Sequence, residues 1–165
     1  MTNGTQQVAS PSLPSLGLGL EYLTPEQVNL AWPSLKPAIK ASLPPPDVTD
    51  EANAMNNVLA AIMRGELQVW LATRRAEGSA HIYGGVVTQI MAPGVTGVKN
   101  LWLYALFIHE LPPTRLIGTM LDTLRAFARQ NGCRSIFAMT NNDVIEKLTK
   151  HLHGTTDYRI VRLEV

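Results

Sequence analysis

The sequence predicts a mixed α/β (α+β) fold, in which an antiparallel meander of strands precedes a β-α-β unit and a terminal helix and strand. Three observations lead to this fold. The hydrophobic pattern is helical between the N-terminal segment and residue 65, and three strand-like segments follow it up to residue 108. An amphipathic helical segment then joins two apolar strands, and such a crossover makes them parallel neighbours. Helices before and between the strands should cover both faces of the sheet.

Composition limits the size of the fold and the class of its partners. The 165 residues suit one domain, of which 45% are hydrophobic and 16% charged, with a formal net charge of +1. This balance gives no basic footprint for nucleic acid or for an anionic membrane surface. So sparse a charged surface favours self-association or docking into a larger assembly. The single cysteine, Cys133, excludes an internal disulfide and a thiolate metal cluster.

Residues 1–20 differ from the rest of the chain in composition. They are rich in Ser, Pro and Gly and contain no charged side chain. Because such a segment cannot bury enough apolar surface to offset its ordering entropy, we expect a flexible or partner-bound N-terminal tail, followed by a single domain over residues 21–165. The segment lacks the basic start and apolar core of a secretory signal, and no apolar run is long enough for a membrane helix.

Two helices are expected before the strands. Thr24 is a good N-cap for the first helix. Pro33 and Pro37 should break or restart this helix, because proline lacks an amide hydrogen and its ring crowds the preceding turn. The second helix should begin after Thr49 and end at Gly65, since glycine often terminates helices.

The alternating segments predict three strands. They cover Leu67–Arg75, His81–Ala92 and Val98–Ile108, with a bulge at Gly84-Gly85 in the second. The third segment is apolar on both faces and should therefore lie inside the sheet.

The remaining chain completes the β-α-β unit. A helix with one apolar face is predicted over residues 114–130, and Asn131-Gly132 should cap its C-terminus. The strand Cys133–Thr140 should pair in parallel with the third strand. A last helix over residues 141–153 and a final strand over residues 157–165 follow.

A short motif lies where the third strand ends and the long helix begins. Pro112 stands three residues before Arg115, and Gly118 stands three residues after it. The order of elements and this motif resemble the GCN5-related N-acetyltransferase (GNAT) fold superfamily, whose signature is Gln/Arg-x-x-Gly-x-Gly/Ala, often with a proline upstream. Met120 occupies the last position, where the family has Gly or Ala. The resemblance covers residues 20–165.

The resemblance implies a site for acetyl-coenzyme A. No metal site is expected, because His151 and His153 have no acid or thiolate nearby and zinc needs three or four ligands. Backbone amides of the signature turn would hold the pyrophosphate, since a helix N-terminus presents free amides and a partial positive charge. The strand before the turn would offer backbone groups to the pantetheine arm, while the strand after the helix diverges from it. Met120 would either crowd the phosphates or point into the core. The implied cofactor-binding residues are Leu106, Phe107, Ile108, Arg115, Leu116, Ile117, Gly118, Thr119, Met120 and Asn141.

Acetyl transfer to an amine needs a base that takes the amine proton, and often an acid for the leaving thiolate. Glu110 and His109, at the end of the third strand, are the candidates for the base, with a solvated pair of loop residues as the alternative. The family's acid is a tyrosine in the last helix, but Leu148 stands at the best-matching position. Tyr158, on the following strand, is the nearest candidate for the acid. Whether the chain is an enzyme therefore stays open.

A second, narrower resemblance indicates a different function. Several short matches are similar to the short GNAT-like proteins encoded near structural genes of tailed bacteriophages, some of which are virion components. This implies a location in the host cell's cytoplasm or in the virion, with homo-oligomer or virion assembly partners. Two functions therefore stand: a GNAT-like N-acetyltransferase acting on an unidentified amine, or a catalytically inactive structural protein of a bacteriophage virion. The matching residues are Trp32-Pro33, Ile62 with Gly65, residues 67–70, and Ala128 with Gly132-Cys133.

Overall fold

A computed structural model describes residues 17–43, 51–76, 79–92, 94–139, 146–147, 149–150 and 152–156. Within these residues, no helix is both long and apolar enough to cross a membrane. The elements in chain order are β1 (Leu18–Leu23), α1 (Pro25–Ser42), α2 (Glu51–Met63), β2 (Leu67–Ala76), β3 (Ser79–Met91), β4 (Lys99–Ile108), α3 (Thr114–Gln130) and β5 (Cys133–Ala138).

The strands form one mixed sheet in the order β1-β2-β3-β4-β5. Strands β1 to β4 are antiparallel neighbours, and β5 pairs with β4 in parallel after the α3 crossover. The predicted meander followed by a β-α-β unit is therefore confirmed. The predicted final strand lies outside the described residues.

The sheet has one strand that the sequence analysis does not predict. Strand β1 begins at Leu18, inside the segment for which a tail is expected, and it pairs from Leu18↔Arg74 to Leu23↔Val69. The sheet thus starts before the helices. Residues 1–16 lie outside the described residues, so the tail itself stays a prediction.

Helices cover both faces of the sheet, as predicted. On one face, α1 and α2 bury the side chains that point alternately from β2, β3 and β4. On the other face of the sheet, α3 packs against the side chains that point away from α1 and α2. The first cluster includes Val28, Ile39, Met55 and Ile62 from the helices with Val69, Val87, Ala105 and Phe107 from the sheet. The second includes Leu116, Leu124 and Ala128 with Trp70, Ala72, Tyr83, Val86 and Leu101.

The α1 helix runs through Pro33 and Pro37 without a break, so the prediction of a broken helix is wrong. The two prolines are four residues apart and therefore lie on the same side of the helix. Both are exposed, as is Asn29, whose carbonyl loses its partner at Pro33. Because the missing bonds face solvent, water can replace them there. The capping box of Thr24 and Gln27 fixes the start of the helix, as expected for Thr24.

The irregularity in β3 lies one residue before the predicted position. Ala72 pairs with Gly84 and Thr73 with Ile82, so that Tyr83 is the extra residue of the bulge. The two glycines that follow serve a different purpose. A Cβ at Gly84 would collide with the carbonyl oxygen of Phe107 on β4, and one at Gly85 with the Phe107 ring. Glycine is required at both positions because β4 approaches so closely.

Candidate functional site

Strand β4 extends beyond its pairing with β5. The last pair between them joins Leu103 to Ala138, whereas β4 stays paired with β3 as far as Ile108. In the part of the chain that the structure describes, residues 104–108 therefore have a strand on one side only. Among the described residues, nothing pairs with the other side of this length, so its backbone groups can hydrogen-bond to an extended ligand. This length includes the three residues expected to contact pantetheine: Leu106 is half-buried, Phe107 is buried and Ile108 is exposed.

A bulge in β4 coincides with the point where β5 leaves it. Val87 pairs with Ala105 and Thr88 with Leu103, so Tyr104 is an extra residue in β4. A bulge bends the strand and increases its local twist, which turns β4 away from a straight neighbour. No residue type in the sequence marks this bulge, because β4 contains no glycine or proline.

The N-terminus of α3 lies just beyond the open edge of β4 and has no side-chain cap. Pro113 is the N-cap, and the first turn contains no acidic residue. The amides of Leu116 and Ile117 both donate to the Pro113 carbonyl, at 2.8 and 3.3 Å. Within the described residues, the amides of Thr114 and Arg115 make no hydrogen bond. Two free amides at the positive end of a helix dipole form a site that favours an anion.

The glycine of the motif leaves the surface beside these amides bare. An ideal Cβ at Gly118 would have no atom within 4 Å. Met120 packs against the core cluster under α3, so the interpretation that points it into the core is the one the structure supports. Leu116 is fully buried beside it, whereas Thr119 is exposed and its hydroxyl donates to the Arg115 carbonyl at 3.1 Å. The departure from the signature at Met120 does not fill the space beside the helix terminus.

The loop after β4 is held against β3. The amides of His109 and Glu110 both donate to the Tyr83 carbonyl, at 2.8 and 3.1 Å. The Glu110 carboxylate lies 3.0 Å from Nε2 of His81, and both side chains are more than half exposed. The His109 ring instead packs on the Phe107 ring, with 5.9 Å between centroids. The structure therefore gives Glu110 a titratable partner and His109 an apolar one.

His81 is the residue of this group that sequence reasoning did not select. It lies near the start of β3, 29 residues before Glu110 in the chain. The contact depends on strand pairing across β3 and β4, for which the sequence offers no local signal. Tyr158 and Asn141, together with Leu148, lie outside the described residues, so their predicted roles stay predictions.

The described residues contain no group of three or more His, Cys, Asp or Glu side chains that could hold a metal ion. Cys133 is half-buried at the start of β5, and burial raises the pKa of its thiol, with nearby Lys99 acting in the opposite direction. A thiol of this kind is a poor nucleophile at neutral pH. The glycine before it, Gly132, has φ +71° and ends α3 as predicted.

Solved acetyltransferase structures share this architecture. No protein-family model matches the sequence, and no curated protein matches it. The aminoglycoside N-acetyltransferase AAC(6')-Iy, bound to the bisubstrate analogue CoA-S-monomethyl-acetylneamine, superposes with TM-score 0.64 and 16% identity over 90% of this chain and 98% of its own.

Two further structures extend the likeness. A ribosomal-protein-alanine N-acetyltransferase from Brucella melitensis biovar Abortus 2308 gives TM-score 0.60 and 13% identity over 90% of this chain and 100% of its own. An aminoglycoside acetyltransferase from an uncultured soil metagenomic sample, in complex with sisomicin, gives 0.63 and 13% over 90% and 95%. At these identities the likeness shows the fold: the chain has the architecture of GNAT acetyltransferases.

Proposed function

We propose that this protein is an N-acetyltransferase that uses acetyl-coenzyme A to acetylate an amine. The proposal rests on one observation: two features that can bind a ligand follow each other directly along the chain. The open edge of β4, residues 104–108, leads directly to the uncapped N-terminus of α3. An extended chain that ends in a pyrophosphate needs these two features in this order. The fold shared with the CoA-bound AAC(6')-Iy supports the same assignment.

The residues at the α3 terminus fit a pyrophosphate. The amides of Thr114 and Arg115, which have no partner among the described residues, can donate to phosphate oxygens, and the bare surface at Gly118 allows those oxygens to approach. The exposed side chain of Arg115 adds a positive charge to the same turn. No acidic residue of the first turn opposes the anion.

The bound thioester supplies an activated acetyl group. Transfer forms a bond from the amine nitrogen to the carbonyl carbon and breaks the bond from that carbon to sulfur. Glu110 is the proposed base, because its carboxylate is exposed and can take the amine proton. His109 is the second candidate, at the adjacent position. Tyr158 stays a proposal for the acid, and water can protonate the thiolate in its place.

Calorimetric titration of the full chain with acetyl-coenzyme A tests the proposal, together with the variant Gly118→Glu. We expect saturable binding to the wild type and its loss in the variant, because a carboxylate beside the helix terminus repels phosphate. The matched control is Gly94→Glu, in the β3–β4 turn at the opposite end of β4, where a Cβ also meets nothing. Absence of heat in the wild type refutes the proposal and favours the assembly role that the second resemblance implies.

A further inference from the structure

Tyr104 lies at the inner end of the open edge of β4, next to the fork where β5 leaves β4 after the pair of Leu103 with Ala138. The pantetheine arm has about thirteen bonds between phosphorus and sulfur, so it spans about 15 Å when extended. The strand residues 104–108 span about 13 Å. A cofactor with its pyrophosphate at the α3 terminus and its arm along this edge therefore brings its sulfur close to Tyr104.

The bulge in β4 places Tyr104 on the face of the sheet that α1 and α2 cover. In a regular strand, neighbouring residues point to opposite faces, but Tyr104 and Ala105 both pack with the cluster under these two helices. Leu103 and Leu106, on either side of them, pack with the cluster under α3. The bulge thus adds a polar side chain to the α1 and α2 face, at the point along β4 where the sulfur would lie.

The hydroxyl of Tyr104 is accessible and makes no hydrogen bond within the described part of the chain. The side chain is half-buried against the cluster under α1 and α2. Among the described residues, no buried side-chain oxygen lacks a partner, so the Tyr104 oxygen reaches the surface. Toward β3, the fully buried Val87 fills the same face of the sheet. The accessible side for the hydroxyl is therefore the one toward the fork.

An aromatic pair lies at the fork on the same face. Trp102 pairs with Phe137 across β4 and β5, and 5.9 Å separates their ring centroids. Because Leu101 and Ile136 pack under α3, the next residue of each strand points to the opposite face, which is that of Tyr104. Phe137 is exposed, so the pair presents apolar surface beside the fork. A hydrogen bond to a charged sulfur is stronger beside such a surface, since less water competes for it.

We infer that the Tyr104 hydroxyl donates to the cofactor sulfur and protonates it as the acetyl group leaves. The inference rests on the proposed acetyl transfer, and it gives Tyr104 the acid role for which Tyr158 is the other candidate. The amine nitrogen bonds to the carbonyl carbon, the bond from that carbon to sulfur breaks with its electron pair on sulfur, and sulfur takes the Tyr104 proton. Tyr104 regains a proton from water. The amine proton reaches Glu110 through water, because Glu110 lies beyond the other end of the open edge.

The pKa of the thiol of bound coenzyme A tests the inference without an acceptor amine. Carbon NMR of coenzyme A labelled at the carbon bonded to sulfur, followed over pH in complex with the full chain, measures this pKa. Because a hydrogen bond to a charged group stabilises the thiolate, the thiol pKa should be higher by about one or more in Tyr104→Phe than in the wild type. This substitution removes only the hydroxyl, so the cations of α1 and β5 act equally on the thiol in both proteins. These cations are Lys36, Lys40 and Arg134.

The matched control is Tyr83→Phe, which removes the hydroxyl of the bulge residue of β3 on the other face of the sheet. Its thiol pKa should equal that of the wild type. Equal values in the wild type and Tyr104→Phe overturn the inference, as does an equal rise in Tyr83→Phe. If coenzyme A binds the wild type and the values are equal, only the role of Tyr104 is refuted. If neither coenzyme A nor acetyl-coenzyme A binds the wild type, the proposed function fails and the role of Tyr104 fails with it.

Discussion

Replacement of Gly118 by alanine should stabilise the fold and weaken cofactor binding at the same time. Gly118 lies inside α3, and an added Cβ would have no atom within 4 Å. Its φ is not among the positive values, so alanine fits the backbone without strain. Glycine costs a helix interior about 0.5–1 kcal/mol relative to alanine, because it loses more conformational freedom on folding. For a chain of this length, the melting temperature should rise by about 1–4 °C.

The same substitution, Gly118→Ala, should weaken the binding of acetyl-coenzyme A. In an α-helix the Cα–Cβ bond tilts toward the N-terminus, so a methyl group at Gly118 covers the turn of Thr114 and Arg115. These are the residues whose amides have no partner within the described part. If the methyl group displaces a phosphate oxygen from one charged hydrogen bond, the loss is about 1.5–3 kcal/mol. The dissociation constant for acetyl-coenzyme A should then rise by about tenfold to a hundredfold.

Calorimetric titration and a thermal melt of the same preparation measure both effects. Gly94→Ala provides the control, because a Cβ there also meets nothing and the turn lies at the far end of β4. We expect no change in affinity for that variant. Unchanged affinity in Gly118→Ala, or a lower melting temperature with weaker binding, refutes the argument, since the loss of binding would then come from damage to the fold.

Three further substitutions test the packing and charges around the site. Gly84→Ala places a Cβ against the backbone of β4, so urea denaturation should show a loss of about 1–3 kcal/mol, and an unchanged midpoint contradicts this close approach. Thr88→Val removes the hydroxyl that accepts from the Trp70 indole, and the buried donor left unpaired should cost about 1–3 kcal/mol in the same assay; a neutral result argues against this buried bond. Hydrogen bonding to Arg75 lowers the pKa of Glu21 in the folded protein from its ordinary value of 4.5. The ionised carboxylate therefore stabilises the fold above pH 4.5, and this stability is lost as the pH falls through the lower pKa of the folded state. Melting temperatures should therefore decline less steeply below about pH 5 in Arg75→Gln than in the wild type, and parallel curves contradict the assignment.

The sequence was sufficient where the signals are local. The α3 helix has its apolar face, its start after Pro113 and its end at Gly132 within one short segment, and its observed bounds agree with the prediction. The N-cap, the helical spacing of apolar residues and the glycine at the end are signals that each involve only a few neighbouring residues. The location of the motif between β4 and α3 followed from the same local pattern.

The features that the sequence did not predict depend on contacts between distant segments. The β1 strand owes its conformation to pairing with β2, about 50 residues later, and its six residues offer little alternation of their own. The bulge at Tyr104 is a property of the register between β3 and β4. The contact of His81 with Glu110 follows from that same pairing. The helix tolerates Pro33 and Pro37 because both lie on the side of α1 that faces solvent, and the local sequence does not show which side that is.

Amide hydrogen–deuterium exchange with and without acetyl-coenzyme A tests the central claim most directly, because it reports both binding and its location. The account predicts slower exchange on binding at the open edge of β4, residues 104–108, and at the free amides of Thr114 and Arg115. It predicts no change in the β3–β4 turn around Gly94. Exchange that is unchanged at residues 104–115, or protection confined to another part of the sheet, would contradict the assignment of this edge and helix terminus as the cofactor site.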